Sequence, residues 1–331
     1  MRLLRNQIGT QSFILDLEGG KILTEQTTPI PVILDTDIGF DVDDVWALAF
    51  LLNCPELDIK LITTCTGDTG YRARVVAKLL QIAGRQDIPI GVGLLLDDSP
   101  RTHAAWLGDF SLENYSGTVL RDGVGALCDA VMSSDERVSL ICIGPLPNIA
   151  AALSREPDIV SGARFIGMHG SLRRGYLGAA KPMREYNVKL HTLACQAVFR
   201  ANWQKIITPL DTCGTVTLTG KRFAQIQQSE DPLAQAVIAN HQGWFEAVRQ
   251  WPVLRDLNAE VQSSVLYDAV AIYLAFSDEF LEMEQLPITV TDDGKTLIDQ
   301  AGSSVNCAVD WRNKEAFLDL LANRLANRFA P

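Results

Sequence analysis

Five carboxylates, Asp35, Asp37, Asp41, Asp43 and Asp44, fall within ten residues of one another. Their segment joins the apolar run Pro31-Val-Ile-Leu34 to the apolar run Val45-Trp-Ala-Leu-Ala-Phe-Leu-Leu52. Capping of a helix start accounts for one or two of them, since aspartate satisfies the free N–H groups there. Five acids pinned between a buried strand and a buried helix repel one another unless a cation or protons neutralise them. The segment offers oxygen donors only, with no histidine or cysteine close by in sequence. That donor set suits Ca²⁺ or Mg²⁺ and not Zn²⁺.

Other uses of clustered aspartate or glycine fail on spacing. An EF-hand loop starting at Asp35 requires Gly at its sixth position and Glu at its twelfth, where the chain has Phe40 and Trp46. Phosphate-cradling glycine loops fail too. Gly214 lies one residue too far from Gly220-Lys221, Arg222 stands where Ser or Thr is needed, and Thr289 replaces the first glycine ahead of Gly294-Lys295-Thr296.

Positioning such a loop requires a strand before it and a helix after it, and the chain repeats that unit. Short β-branched runs at 31–35, 58–64, 88–92, 138–143 and 163–168 read as strands. Helix patterns at 44–53, 71–84, 122–133 and 146–154 alternate with them. The second half reads as helices at 190–202, 221–228, 231–250 and 266–276, strands at 286–291 and 303–310, and a closing helix at 313–326. The fold expected is α/β, an open, mostly parallel sheet with helices on both faces. In such sheets ligands sit beyond the carboxyl ends of the strands, which is where the Asp loop falls.

Composition narrows the partners. Apolar residues make up 47% and charged residues 21%, which excludes disordered and fibrous classes. The net charge of −11 repels nucleic-acid backbones and anionic membranes, so neither is an expected partner. The cysteines at 54, 65, 128, 142, 195, 213 and 307 are odd in number and contain no C-x-x-C pair, as expected of buried thiols in a reducing, cytoplasmic setting. No membrane-spanning run and no secretory leader is read, because Asp16 and Glu18 interrupt the early apolar stretch. Residues 1–30 read as an N-terminal extension and residues 31–331 as one domain.

The strand, the D-T-D-x-G of Asp35–Gly39, the Asp43-Asp44 pair and the apolar helix together resemble the inosine-uridine type nucleoside hydrolases. The resemblance continues through Ile62-Thr-Thr-Cys-Thr-Gly67-Asp68, Ile143-Gly-Pro-Leu-Pro-Asn148, Met168-His-Gly170, Glu185-Tyr-Asn187 and Tyr267-Asp268-Ala-Val-Ala, over roughly residues 31–325. It implies Ca²⁺-dependent hydrolysis of the N-glycosidic bond of a ribonucleoside, with Ca²⁺ ahead of Mg²⁺, in a homodimer or homotetramer. By motif it implies that Asp37, Asp44, Asp268 and the carbonyl of Ile143 bind the metal, that Asp37 is the general base, and that Asp43 accepts from a ribose hydroxyl. Glu185 and Asn187 then hold the 5′ and 3′ hydroxyls, Asp68 takes the place of an Asn near the ribose, and Met168 packs under the sugar. Each has an ordinary alternative: Glu185 and Asn187 as loop residues, Met168 as core filler. Asn148, after Pro147 at a strand-to-helix turn, reads as structural.

Two features depart from the family pattern. Asp41-Val42 lengthens the Asp loop, leaving the roles of Asp41 and Asp43 open. Tyr267 stands where many members carry a His that protonates the leaving base, so Tyr267 is the expected catalytic donor. His103 and Trp106, or His241, Trp244 and Phe245 on one face of the 231–250 helix, are further candidates for the base, although the latter three also fit a core stripe. His169 and His191 read as structural. Two other functions remain: a nucleoside- or ribose-binding protein that lost the leaving-group acid, and a haloacid-dehalogenase-like phosphatase. The latter requires Gly-Thr after the second Asp, where Ile38-Gly39 stands.

Overall fold

A computed structural model describes residues 28–96, 99–254 and 256–327, together with the backbone of three strands before them. Those three, β1 (Leu3–Ile8), β2 (Gln11–Asp16) and β3 (Ile22–Thr24), pair antiparallel in a small sheet of their own. They lie within the segment that reads as an extension, whose weak apolar periodicity announces no strand.

The main sheet has ten strands in the order β12-β11-β13-β10-β9-β8-β4-β5-β6-β7. They are β4 (Ile30–Thr36), β5 (Leu57–Thr64), β6 (Ile90–Val92), β7 (Val119–Leu120), β8 (Val138–Cys142), β9 (Ala163–Met168), β10 (Lys205–Thr208), β11 (Leu281–Val290), β12 (Thr296–Ile298) and β13 (Ser303–Trp311). Every pairing from β13 across to β7 is parallel, and only β11 and β12 add antiparallel partners at one edge.

The sheet divides the core in two because successive side chains on a strand point to opposite faces. Val32 and Leu34 face one side, packed with the helices Asp43–Leu52, Thr69–Ala83, Pro232–Val248, Ala269–Leu274 and Lys314–Ala326. Ile33, Leu61, Leu140 and Phe165 face the other, against Gly123–Met132, Pro147–Arg155 and Thr192–Arg200. Both faces are covered, as expected of a parallel sheet.

The chain runs outward from β4 through β5, β6 and β7, then returns to β8 on the other side of β4 and continues outward through β9 and β10. The connections that leave the carboxyl ends of β4 and β8 therefore run to opposite sides, which makes the crevice where open α/β sheets bind ligands.

Several elements differ from the sequence reading. The expected helix 190–202 is Thr192–Arg200, preceded by a short helix Tyr186–Leu190 outside the expected span, and 266–276 shortens to Ala269–Leu274. Strands β7, β10 and β12 go unannounced: none exceeds four residues, too short for a period-two pattern to stand out. No helix among the described residues is long and apolar enough to cross a membrane.

Candidate active site

Asp37 is the first residue beyond β4, and Ile143 the first beyond β8. The two strand ends are stitched together where the Ile143 N–H donates to the Asp35 carbonyl at 2.9 Å. Gly144 then lets the chain pass close to Asp37: a Cβ there would lie 2.7 Å from Cys65 Sγ and 2.8 Å from Asp37 Oδ1. Only a residue without a side chain fits that gap.

Beyond Asp37 the loop is held by its own carbonyls, each taken by a side-chain donor from elsewhere in the fold. Arg72 Nη1 donates to Ile38 O at 3.0 Å, and both Tyr71 Oη and Thr102 Oγ1 donate to Gly39 O at 3.1 Å. Phe40 O accepts from Thr102 Oγ1 at 2.6 Å and Trp244 Nε1 at 3.2 Å, and Asp41 O accepts from His103 Nε2 at 2.9 Å. Gly39 turns at φ +105°, a conformation other residues rarely adopt, and lies against the Tyr71 ring.

This framework fixes the acids. Carboxylate oxygens of Asp43, Asp44 and Asp268 lie within 4.8 Å of one another, and all three side chains are buried. Asp43 and Asp44 open the helix Asp43–Leu52, while Asp268 N-caps Ala269–Leu274, so two helix starts converge on one point. Burial first, and then the charges of neighbouring aspartates, push all three carboxyls well above the usual carboxylate range. Thr36 Oγ1, donating to Asp44 Oδ1 at 2.5 Å, and the nearby Arg72 guanidinium pull Asp44 the other way. Burial likewise raises Asp41 to about 6. Buried, mutually repelling, all-oxygen groups at this spacing fit a hard divalent cation.

Around that cluster lies a cavity of about 520 Å³, lined by Asp37, Asp41, Asp43, Asp44, Asp268, Ile143, Met168, Glu185, Asn187 and Tyr267 among others. The cavity lining includes every residue that the resemblance assigns to metal, ribose or leaving base except Asp68. Asp68 instead caps the helix Thr69–Ala83, accepting from the Tyr71 N–H at 2.9 Å, and pairs with Arg101 at 2.5 Å outside the cavity wall. At the Gly67-Asp68 turn the aspartate side chain serves as a helix cap.

Asn187 Nδ2 donates to Ile143 O at 3.0 Å and to Met168 O at 3.1 Å, which ties β8, β9 and the Tyr186–Leu190 helix into one wall. Glu185 is that helix's N-cap. It accepts from the Asn187, Val188 and Gly170 N–H groups, and burial raises its carboxyl to about 7. Asn148 donates to Asp35 Oδ1 at 2.8 Å and Thr64 O at 3.0 Å behind the loop.

Tyr267 lines the cavity edge-on to Tyr176, with ring centres 5.8 Å apart. Burial raises its phenol, so it stays protonated. Phe40 stacks on Tyr186 at 5.6 Å and leans on Trp251 at 5.7 Å, which completes an aromatic wall that carried no sequence periodicity because its members come from separate segments of the chain. The histidine candidates lie elsewhere. His103 braces Asp41 O and accepts from Asn240 Nδ2, and burial lowers it to about 4. His241 is also lowered to about 4 by burial and stacks with Trp244 in the core, so that helical stripe is packing and not a base platform. Trp106 lies under Lys78, and His169 packs on Phe165 and Phe199.

Residues 32–319 match the family profile of the inosine-uridine preferring nucleoside hydrolases. The chain is 32% identical over 210 residues to the non-specific ribonucleoside hydrolase RihC of Escherichia coli O1:K1, a stretch covering 60% of this chain and 67% of that one. Its fold is similar to a plant nucleoside hydrolase, with a TM-score of 0.75 at 22% identity, covering 92% of this chain and 100% of the other. It is also similar to a purine-preferring ribonucleoside hydrolase from Gardnerella vaginalis, with a TM-score of 0.72 at 19% identity, covering 89% and 98%.

Proposed function

Because the chain belongs to the inosine-uridine preferring nucleoside hydrolase family, glycosidases by class, we propose that it hydrolyses the N-glycosidic bond of ribonucleosides to free base and ribose. The observation that carries this reading is the convergence of Asp43, Asp44 and Asp268 within 4.8 Å at the carboxyl ends of the sheet.

Ca²⁺ is the cation proposed, held by Asp37, Asp44, Asp268 and the Ile143 carbonyl. When bound, it supplies the positive charge that lowers the pKa of a water and draws in the ribose hydroxyls. Asp37 takes the proton from the attacking water, and the Gly144 gap fixes where that carboxylate stands. Asp43 accepts from a ribose hydroxyl. Asn187, whose Nδ2 is committed to two carbonyls, offers its Oδ1 to the sugar, and Glu185 holds the 5′ side. Met168 lies under the ring. As the bond breaks, positive charge develops on the ribose, and the surrounding carboxylates stabilise it. Tyr267 donates to the departing base.

The test is ribose release from a panel of purine and pyrimidine nucleosides after Ca²⁺ loading. Absence of ribose from every nucleoside overturns the hydrolase. Saturable nucleoside binding in that case would support a binding protein, a reading favoured by one observation: no histidine lines the cavity among the described residues.

A further inference from the structure

Glu185, the residue assigned to the 5′ side of the ribose, has little left to offer a hydroxyl. Its Oε1 accepts from the Asn187 N–H at 2.7 Å, and its Oε2 accepts from the Val188 and Gly170 N–H groups at 3.1 Å each. Those three bonds fill most of the roughly four acceptor sites of a carboxylate. Its surroundings are aromatic and apolar. Tyr186 follows it in the chain and stacks on Phe40, and the Tyr186 N–H donates to Tyr176 Oη at 2.8 Å, which brings Tyr176-Leu177 to the same wall. The neutral polar lining residues Thr217, Gln262, Ser263 and Ser264 stand with Tyr267 instead. Their two segments bond to each other, Leu266 N–H to Val216 O at 2.8 Å and Ser263 N–H to Leu218 O at 2.9 Å, and run into Tyr267.

Leu177 lines the cavity while 63% exposed, at φ 55°, a conformation costly for a leucine. The turn that holds it is firm. The Gly175 N–H donates to Ala179 O at 2.9 Å, and the buried Asp211 accepts from the N–H groups of Leu172, Arg173 and Arg174. An apolar side chain held in a strained pose at a cavity wall sheds its water when a ligand covers it.

We propose, on the footing of the hydrolase reading above, that the 5′ end of this site takes a neutral apolar group, so that 5′-alkylthio ribonucleosides are substrates. The thioether sulfur meets the rings of Tyr176 and Tyr186, a favourable contact, and the alkyl group covers Leu177. Hydrolysis leaves the C5′–S bond untouched. The water oxygen bonds to C1′, the C1′–N electrons and one proton stay with the base, and the products are free base and 5-alkylthioribose. A 5′-phosphate is disfavoured by charge, since Asp41, Asp43 and Glu185 line the cavity and no Lys or Arg does so among the described residues.

The experiment measures kcat/KM, by release of base, for the nucleoside hydrolysed fastest in the panel above and for its 5′-deoxy, 5′-methylthio, 5′-ethylthio and 5′-phosphate forms. The 5′-methylthio form should match or exceed the parent, and the phosphate should be the poorest. From 5′-deoxy through methylthio to ethylthio the value should rise, by up to about fourfold for one buried methylene. In Leu177→Asn, which keeps a residue able to hold a positive φ, that rise should flatten. A 5′-methylthio form below the parent, a series that falls with added carbon, a preferred phosphate, or a rise that survives Leu177→Asn overturns this inference and leaves the hydrolase intact. Absence of base release from every nucleoside removes both.

Discussion

The buried guanidinium of Arg72 grips the carbonyl of Ile38, the residue next to Asp37, at 3.0 Å. Its Nε donates to Thr66 O at 2.8 Å, and Thr66 itself sits at φ 56°, so one side chain ties a strained turn after β5 to the Asp loop. The same charge lies close enough to Asp44 to favour its ionised form. Arg72→Met should therefore lower the melting temperature of the metal-free protein more than that of the Ca²⁺-loaded protein, because the cation takes over the work of offsetting the acids. Arg72→Lys keeps the charge but not the fork, so it should retain the wild-type Ca²⁺-induced rise while turnover falls. Equal losses with and without Ca²⁺ in Arg72→Met would reduce Arg72 to packing.

The dependence of stability on pH has a definite sign. Burial raises Asp35 and Asp41 to about 6 and Glu185 to about 7, and it also holds Asp43, Asp44 and Asp268 well above the usual carboxylate range. Over that window the folded, metal-free protein binds more protons than the unfolded chain, so its stability falls as pH rises from about 4 to 7. Ca²⁺ favours the ionised carboxylates and should flatten or reverse the slope. Melting curves across pH, with chelator and with Ca²⁺, check both arms. A metal-free protein that grows more stable towards pH 7 contradicts the burial of these acids.

Much of the site is legible in the sequence because five acids between two apolar runs have no cheap structural explanation. Asp35 does sit apart from the cluster, hydrogen-bonded to Thr63 and Asn148, but its neighbours Asp37, Asp41, Asp43 and Asp44 all reach the cavity. Arg72 was not legible, since a basic residue in YRARVVAKLL looks like part of a solvated helix face. Asp68 is ambiguous for the opposite reason: a Gly-Asp at a strand-to-helix turn serves capping as well as it serves a ligand, and here its side chain caps the helix. The aromatic wall depends on loops meeting in space, which neither spacing nor periodicity encodes.

Gly144→Ala tests how closely the Asp37 carboxylate is placed. The added methyl would meet Cys65 Sγ at 2.7 Å and Asp37 Oδ1 at 2.8 Å, and the Asp37 N–H at 2.9 Å prevents the loop from simply backing away. Turnover should drop by about tenfold or more, with a fall in kcat larger than any rise in KM, because displacement of a catalytic group by about an ångström is costly. A variant with wild-type kcat would mean that Asp37 is not the base.

Asp37→Asn removes the proposed base while keeping the shape of the side chain. Turnover should fall by about 10²-fold or more with the fold retained. Asp268→Ala, by contrast, opens the three-carboxylate cluster and should lose Ca²⁺, as metal analysis after gel filtration would read. Near wild-type turnover in Asp37→Asn would shift the role of base to Asp41, which shares the cavity.

Tyr267→Phe separates proton donation from packing. The phenol lies edge-on to Tyr176 and is held protonated by burial, so it can donate to a departing base, although less acidically than an imidazolium. Removing the hydroxyl preserves the ring and its contact with Tyr176. If the hydroxyl donates, turnover should fall most for neutral nucleosides with poor leaving groups and least for an activated 4-nitrophenyl riboside. Ribosides of cationic bases should be unaffected, since their bases leave neutral and take no proton. Equal, small changes across all three classes would assign Tyr267 to the aromatic wall alone, leaving solvent or a cavity carboxyl to protonate the base.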